Sequence, residues 1–136
     1  MAKAELLAVP GLGWFIKQLG AFPVKRGGVS KESIRLSLDL LKNGELLGIF
    51  PEGTRNRTGE NIAKRGAANL ALKSGATVIP AAIIGSYKPF SRVDVIYGKP
   101  VDLSEFKEDP TSESQEKATD KIMEAIRALI ANHEWK

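Results

Sequence analysis

The sequence predicts an α/β domain in which helices flank a mixed sheet. Short apolar runs of strand length alternate along the chain with segments of helical periodicity. This strand-helix-strand-helix-strand order favours helices packed on a sheet. At 136 residues the chain is long enough to bury one hydrophobic core without disulfides. We therefore expect residues 1–136 to form a single domain.

The first elements are a short helix around Gly13–Leu19 and a strand at Ala21–Lys25. The apolar residues of this stretch fit two roles. They are typical of core packing, and they also fit an exposed patch at a membrane interface formed by Trp14, Phe15 and Ile16. Tryptophan favours the headgroup level of a bilayer, which is the basis of the second interpretation.

A longer helix follows at Ser30–Asn43, and a strand at Leu46–Phe50. Ser30 is a typical N-cap residue, and Gly44 is the expected terminator. The helix has an apolar face with the spacing i, i+4, i+7, formed by Ile34, Leu38 and Leu41.

The second half of the chain predicts a helix at Gly66–Ser74, closed by Gly75. Its inward residues are Ala68, Ala71 and Leu72. Two apolar strands follow at Val78–Ile84 and Arg92–Gly98, and the last element is a helix at about Glu113–Asn132.

The last helix is predicted to begin with a capping box, in which Ser112 pairs with Gln115 three residues later. Its apolar residues fall on one stripe. Because the opposite side mixes acids and bases, we expect the stripe to pack on a core or a partner rather than on a membrane. The stripe consists of Ala118, Ile122, Ala125, Ile126, Leu129 and Ile130.

Composition excludes several classes of function. There is no cysteine for a disulfide or a thiolate, and one histidine without spaced carboxylates predicts no metal site. The net charge of +4 suits anionic headgroups or phosphates, but no basic-aromatic pattern indicates nucleic acid. No apolar run approaches the ~20 residues of a membrane helix, so we expect a soluble chain.

The most informative motif is Phe50-Pro51-Glu52-Gly53-Thr54-Arg55. Pro51 ends the apolar strand, and Gly53 lets the backbone approach a ligand closely. Arg55 provides a planar fork of donors that suits phosphate oxygens. The motif therefore indicates a phosphate-bearing ligand, and an ordinary strand-to-loop turn with solvated charges is the alternative.

This motif resembles the FPEGTR block of glycerolipid acyltransferases, especially the 1-acylglycerol-3-phosphate (lysophosphatidic acid) acyltransferases. Three further segments of the sequence resemble blocks of the same family and follow the same order along the chain. Gly20–Arg26 resembles the family's upstream block, and Val78–Ile83 resembles its downstream block around a proline. The segment Ala4–Leu7, with Pro10 and Gly13–Phe15, resembles the family's approach to the upstream block.

The resemblance implies transfer of a fatty acyl group from acyl-CoA or acyl carrier protein to lysophosphatidic acid, giving phosphatidic acid. In the family a His-x4-Asp block supplies the general base. That block should lie upstream of Ala4, and the only histidine of this sequence is His133. We therefore expect an N-terminally truncated domain that holds no catalytic residue and is inactive alone.

The resemblance also implies the acceptor-binding residues. Arg55 is expected to hold the acceptor phosphate with help from Arg26, and Glu52 to bind glycerol hydroxyls. The full acceptor-binding set is Arg26, Glu52, Gly53, Thr54, Arg55, Lys64 and Arg65. Residues expected to shape the site are Gly20, Phe50, Pro51 and Pro80.

As implied partners we expect lysophosphatidic acid, the acyl donor as co-substrate, and a membrane surface, with no cofactor. The family places the full-length enzyme on the cytoplasmic side of a membrane, in phospholipid biosynthesis. Two alternatives stay open. The chain is a non-catalytic module that binds phosphate or lipid headgroups, or its acceptor is glycerol 3-phosphate or another lysophospholipid.

Overall fold

The computed structural model describes residues 2–3, 7–20, 23–24, 31–52, 65–86, 88, 90–108 and 111–134. The chain divides into two compact units, residues 1–49 and residues 50–136. The expectation of a single domain over residues 1–136 stays a prediction.

The described residues of the first unit include two short strands and two longer helices. Strand β1 (Ala2–Lys3) pairs in parallel with β2 (Pro23–Val24), with Ala2 opposite Pro23. Helix α1 spans Leu12–Gln18, and helix α2 spans Lys31–Lys42. Both helices lie within a residue or two of the predicted bounds. The predicted N-cap Ser30 and most of the predicted strand at 21–25 lie outside the described residues.

Helix α2 buries two serines rather than its largest apolar residues. Ser33 and Ser37 are buried, and the Ser37 hydroxyl donates to the Ser33 carbonyl at 2.7 Å. That bond satisfies the buried hydroxyl, which would otherwise be costly to desolvate. The predicted apolar stripe beside these serines is half-buried. Gly44 has a φ of +79° after the helix end, which confirms it as the terminator.

The described residues of the second unit form two helices, a hairpin-like sheet and a 3-10 helix. Helix α3 spans Gly66–Ser74 and helix α4 spans Ser112–Ala131. Strands β3 (Ala81–Gly85) and β4 (Val93–Tyr97) pair antiparallel, and the 3-10 helix spans Ser104–Phe106. Helix α3 has the predicted bounds, and Gly75 closes it with a left-handed φ of 70°.

The core of the second unit lies where α3 meets α4. Alanines from both helices face each other there, which lets the helix backbones approach closely. The buried cluster consists of Ala68, Ala71, Leu103, Ala118 and Ile122. The predicted inward faces of both helices are confirmed, except that Ile130 is 51% exposed.

The β3–β4 pair has one covered and one open face. Ala82 opposite Ile96 lies on the side of α4, and Ala82 is buried. On the other side Ala81 pairs with Tyr97, and Ile83 with Val95. Tyr97 is 72% exposed, so this outer face is open among the described residues.

An aspartate organises the approach to the 3-10 helix. The Ser104 backbone N–H donates to the Asp102 carboxylate at 2.9 Å. Hydrogen bonds from the Ser104 hydroxyl and backbone lower the pKa of the exposed Asp102 carboxyl below its ordinary value. This is an Asx-type turn, in which a short side chain replaces a backbone acceptor.

The α/β class is confirmed, but the sheet differs from the prediction. The strands in the described residues form two separate two-stranded sheets rather than one mixed sheet. The predicted strand Leu46–Phe50 is wrong, because residues 45–50 have no regular secondary structure. An apolar run becomes a strand only when a neighbouring strand supplies the ladder bonds. Leu46 is instead 93% exposed.

The predicted capping box of Ser112 and Gln115 is wrong, because the N-cap lies one residue earlier. Thr111 is the N-cap, in extended conformation, and its hydroxyl accepts from the Ser114 backbone N–H at 3.2 Å. Threonine and serine are both preferred N-cap residues, so local sequence alone did not separate the two positions.

We expect Ile122→Ala to lower the free energy of unfolding by ~2–4 kcal/mol, because it leaves a cavity in the α3–α4 core. The matched control is Ile130→Ala on the same helix, whose side chain is half in solvent. Urea unfolding monitored by circular dichroism gives both values. Equal losses in the two variants would contradict the assigned core.

Candidate functional site

The described part of the chain contains part of the predicted site. The predicted residues that it covers are Gly20, Phe50, Pro51, Glu52, Arg65 and Pro80. The predicted residues that lie outside it are Arg26, Gly53, Thr54, Arg55 and Lys64. The first group shows how the fold presents the beginning and the flanks of the motif.

The motif begins at the surface of the second unit. Phe50 is 71% exposed, and Pro51 and Glu52 form a turn in which both residues are half-buried. Proline suits this turn because its ring fixes φ and it needs no hydrogen bond to its nitrogen. Glu52 thus lies in a proline-containing turn, directly before Gly53 in the sequence.

Arg65 is held by the neighbouring helix. It is the N-cap residue of α3, and its carbonyl accepts from the Asn69 N–H at 2.9 Å. Its guanidinium donates from Nη2 to Glu116 Oε2 at 2.7 Å and from Nη1 to the Ser112 hydroxyl. These contacts tie the start of α3 to the first turns of α4. Arg65 therefore has a structural partner in addition to its predicted role in acceptor binding.

Pro80 is a buried residue at the start of β3. Its carbonyl accepts from the Gly98 N–H at 2.9 Å, which continues the pairing of β3 and β4 by one residue. A Cβ at residue 98 would lie 2.9 Å from the Pro80 ring and 3.2 Å from a Leu129 methyl group. Pro80, Gly98 and Leu129 thus fit together closely. Proline is tolerated here because it precedes the strand rather than interrupting it.

Gly20 follows α1 with a φ of +75°, a conformation that residues with a Cβ rarely adopt. A Cβ at this position would meet no atom within 4 Å, so the requirement for glycine comes from the backbone rather than from crowding. This conformation turns the chain out of α1 before β2.

The structure also places together three polar residues that the sequence did not single out as a group. Arg92 Nε donates to Asp94 Oδ1 at 2.9 Å, and His133 Nε2 lies 3.3 Å from Asp94 Oδ2. Arg92 and Asp94 are two residues apart, so their side chains lie on the same face of an extended chain. This spacing is the sequence signal for the pair. His133 reaches them only because α4 packs along β3 and β4, which no local pattern predicts.

A shallow cavity of about 440 Å³ lies beside His133. Its lining combines an imidazole, an amide and a carboxylate with apolar side chains, contributed by Ile96, Ala128, Leu129, Asn132, His133 and Glu134. None of the predicted site residues lines it. No group of side chains in the described ranges could hold a metal ion.

Within the same ranges, no helix combines the length and the apolar character needed to cross a bilayer. The longest, α4, has 20 residues with charged side chains along its exposed side.

Comparison with known proteins identifies a family for this chain. A family model described as Acyltransferase matches residues 1–84, which include the whole Phe50–Arg55 motif. No solved structure matches the chain.

Curated proteins named 1-acyl-sn-glycerol-3-phosphate acyltransferase are similar to most of the chain. The Bacillus subtilis protein is 37% identical over 95% of this chain and 67% of its own length. The Streptococcus pneumoniae protein is 34% identical over 79% of this chain and 42% of its own length. A chloroplastic protein of Arabidopsis thaliana is 32% identical over 65% of this chain and 26% of its own length.

We expect the Arg65–Glu116 pair to contribute little to stability. Both side chains are at least half exposed, at 50% and 60%, so water and salt screen their attraction. A double-mutant cycle of Arg65→Ala and Glu116→Gln should give a coupling energy of ~0.2–1 kcal/mol in urea unfolding. Glu124→Gln, another exposed glutamate of α4, is the control. A coupling energy above ~2 kcal/mol would contradict the exposed geometry.

Proposed function

Because this chain belongs to the acyltransferase family, we propose that it is the acceptor-binding part of a 1-acylglycerol-3-phosphate acyltransferase. Such an enzyme moves a fatty acyl group from acyl-CoA or acyl carrier protein to the free hydroxyl of lysophosphatidic acid, and phosphatidic acid is the product. The family match over residues 1–84 and the shared name of the similar proteins carry this proposal. A domain of the glycerolipid acyltransferase type belongs to the same proposal.

Arg55 is the proposed ligand of the acceptor phosphate, with Arg26 as its partner. The planar guanidinium donates two parallel N–H bonds to phosphate oxygens, and it stays charged at any physiological pH. Gly53 and Thr54 lie between Glu52 and Arg55, and the lack of a Cβ at Gly53 allows close backbone approach to the ligand. Glu52 is the proposed acceptor for hydrogen bonds from glycerol hydroxyls.

Lys64 and Arg65 rank below Arg55 in this proposal. The Arg65 guanidinium already donates to Glu116 and Ser112, so binding of phosphate would have to replace those bonds. The competing pair is exposed and weak, so the replacement costs little. Arg65 therefore fits a supporting role at the edge of the phosphate site, together with Lys64.

The acyl transfer itself needs a general base. The base removes the proton of the acceptor hydroxyl, the oxygen attacks the thioester carbonyl, and the carrier thiolate leaves and takes up a proton. The thioester is already activated, so this reaction calls for no cofactor. The sequence contains no His-x4-Asp block, and its one histidine, His133, pairs with Asp94. In this proposal the chain by itself binds the acceptor without acylating it.

Two alternatives remain within the same chemistry. A non-catalytic module for phosphate or lipid headgroups would use the same motif and is the second candidate. An acceptor other than lysophosphatidic acid, such as glycerol 3-phosphate, would use the same arginines. We place the full-length enzyme at the cytoplasmic side of a membrane, where its lipid acceptor resides.

We expect Arg55→Ala to weaken binding of a short-chain lysophosphatidate at least ~10-fold, because the phosphate loses a charged bidentate partner. Calorimetric titration below the micelle concentration of the ligand measures the effect. Arg65→Ala should weaken binding less, because part of its hydrogen bonding is spent on Glu116. Arg127→Ala removes the same charge from the exposed side of α4 and is the matched control. Equal binding by Arg55→Ala and wild type would refute the phosphate assignment.

We expect no acyl transfer by residues 1–136 alone, because the general base of the family is missing from this sequence. A chimaera that adds an N-terminal segment with a His-x4-Asp block should transfer acyl groups to lysophosphatidate. The same chimaera with that histidine changed to alanine is the control. Transfer by the chain alone, or a folded chimaera without transfer to any acceptor of a panel including glycerol 3-phosphate, would contradict the proposal.

A further inference from the structure

An unusual amount of large apolar surface is exposed along α1 and its flanks. Within eleven residues, five large apolar side chains are between 43% and 70% exposed: Val9, Leu12, Trp14, Phe15 and Leu19. We call this set the α1 surface. Single exposed apolar residues are normal on a soluble protein, but several large ones on one short helix and its flanks, with a tryptophan among them, indicate an interaction site.

The packing of α1 explains why these residues face outward. Gly13 is the buried residue of the helix, and a Cβ at this position would collide with the carbonyl of Leu7. The helix therefore contacts the backbone of Leu7 through Gly13, which has no side chain. Leu12, Phe15 and Leu19, spaced i, i+3, i+7, lie on the opposite side. Among the described residues, the exposure of this face thus follows from the burial of Gly13 on the other side of the helix.

The charge of the sequence around α1 is one-sided. Between Glu5 and Glu32 there are four basic residues, Lys17, Lys25, Arg26 and Lys31, and no acidic residue. The rest of the chain has 20 − 4 = 16 basic and 16 acidic residues. The whole net charge of +4 is therefore contributed by this one segment.

We propose that the α1 surface docks on the interface of an anionic lipid bilayer. The inference rests on the proposed function, because the acceptor of that reaction is a lipid with an anionic headgroup. Trp14 suits the headgroup level, and the exposed Lys17 adds positive charge to the same helix. A seven-residue helix is too short to cross a bilayer, so it lies in the interface plane.

The charge pattern distinguishes a bilayer from a second copy of the chain. A two-fold interface through the α1 surface would bring two positive segments together, which repel each other. An anionic membrane attracts the same segment, and the attraction falls with added salt. The outer face of β3–β4 is also apolar, but the sequence outside residues 6–31 has no net charge.

The chain has two tryptophans, Trp14 and Trp135, so a Trp135→Phe variant gives fluorescence from Trp14 alone. We expect a blue shift of this emission, and quenching by brominated acyl chains, with vesicles that contain roughly 30% phosphatidylglycerol in phosphatidylcholine. Vesicles of phosphatidylcholine alone should give a much smaller change.

Co-sedimentation with the same vesicles tests which side chains contribute to binding. Trp14→Ala/Phe15→Ala, and separately Lys17→Glu, should lower the vesicle partition coefficient at least ~10-fold and ~3-fold respectively. The control is Val95→Ala/Tyr97→Ala, which removes comparable exposed surface from the sheet and should leave binding unchanged. All substituted side chains are exposed, and circular dichroism verifies that each variant is folded.

Vesicle binding that is equal in wild type and Trp14→Ala/Phe15→Ala would overturn the proposal. So would loss of binding in the sheet control, or a concentration-dependent dimer that Trp14→Ala/Phe15→Ala abolishes. These outcomes are separate from the proposed function, which is tested by titration of a monomeric lysophosphatidate without any bilayer. Vesicle binding through α1 without lysophosphatidate binding would refute the proposed acceptor and leave the docking surface standing.

Discussion

The contact of α4 with α3 and with the β3–β4 pair holds together the described residues of the second unit. The buried cluster includes alanines of both helices, such as Ala68 and Ala118, whose small side chains allow the two helices to pack closely. Polar contacts lie at both ends of α4. Its first turns accept hydrogen bonds from Arg65, and the residues after its C-terminal end include His133, which lies close to Asp94. A change in that packing would displace the polar contacts at both ends, because they are set by one rigid element.

This arrangement separates the roles of the charged residues. Arg65 takes part in an exposed link between helices, whereas the proposed phosphate ligand Arg55 follows the Pro51–Glu52 turn within its motif. Binding of an anionic acceptor and transfer of an acyl group are distinct tasks. The first needs positive charge and close backbone approach, and the second needs a base beside the hydroxyl. The sequence is rich in the first kind of group and has one histidine.

Local patterns predicted the helices well because their signals are local. Gly66–Ser74 was predicted with its bounds and its closing glycine, since alanine spacing and a left-handed glycine are properties of neighbouring residues. The Leu46–Phe50 strand was not formed, because a strand depends on a partner distant in sequence. The cap moved from Ser112 to Thr111, since two adjacent hydroxyl residues carry the same signal.

The sequence by itself determined the family motif, the candidate phosphate ligands and the one-sided charge around α1, because these depend only on which residues occur and in what order. Tertiary structure decided which of those residues already have partners and which apolar residues face outward. Arg65 is bonded to Glu116, and Trp14 is exposed because Gly13 takes the buried side of its helix. Burial and pairing depend on distant segments, so they are properties of the packed chain rather than of any local stretch.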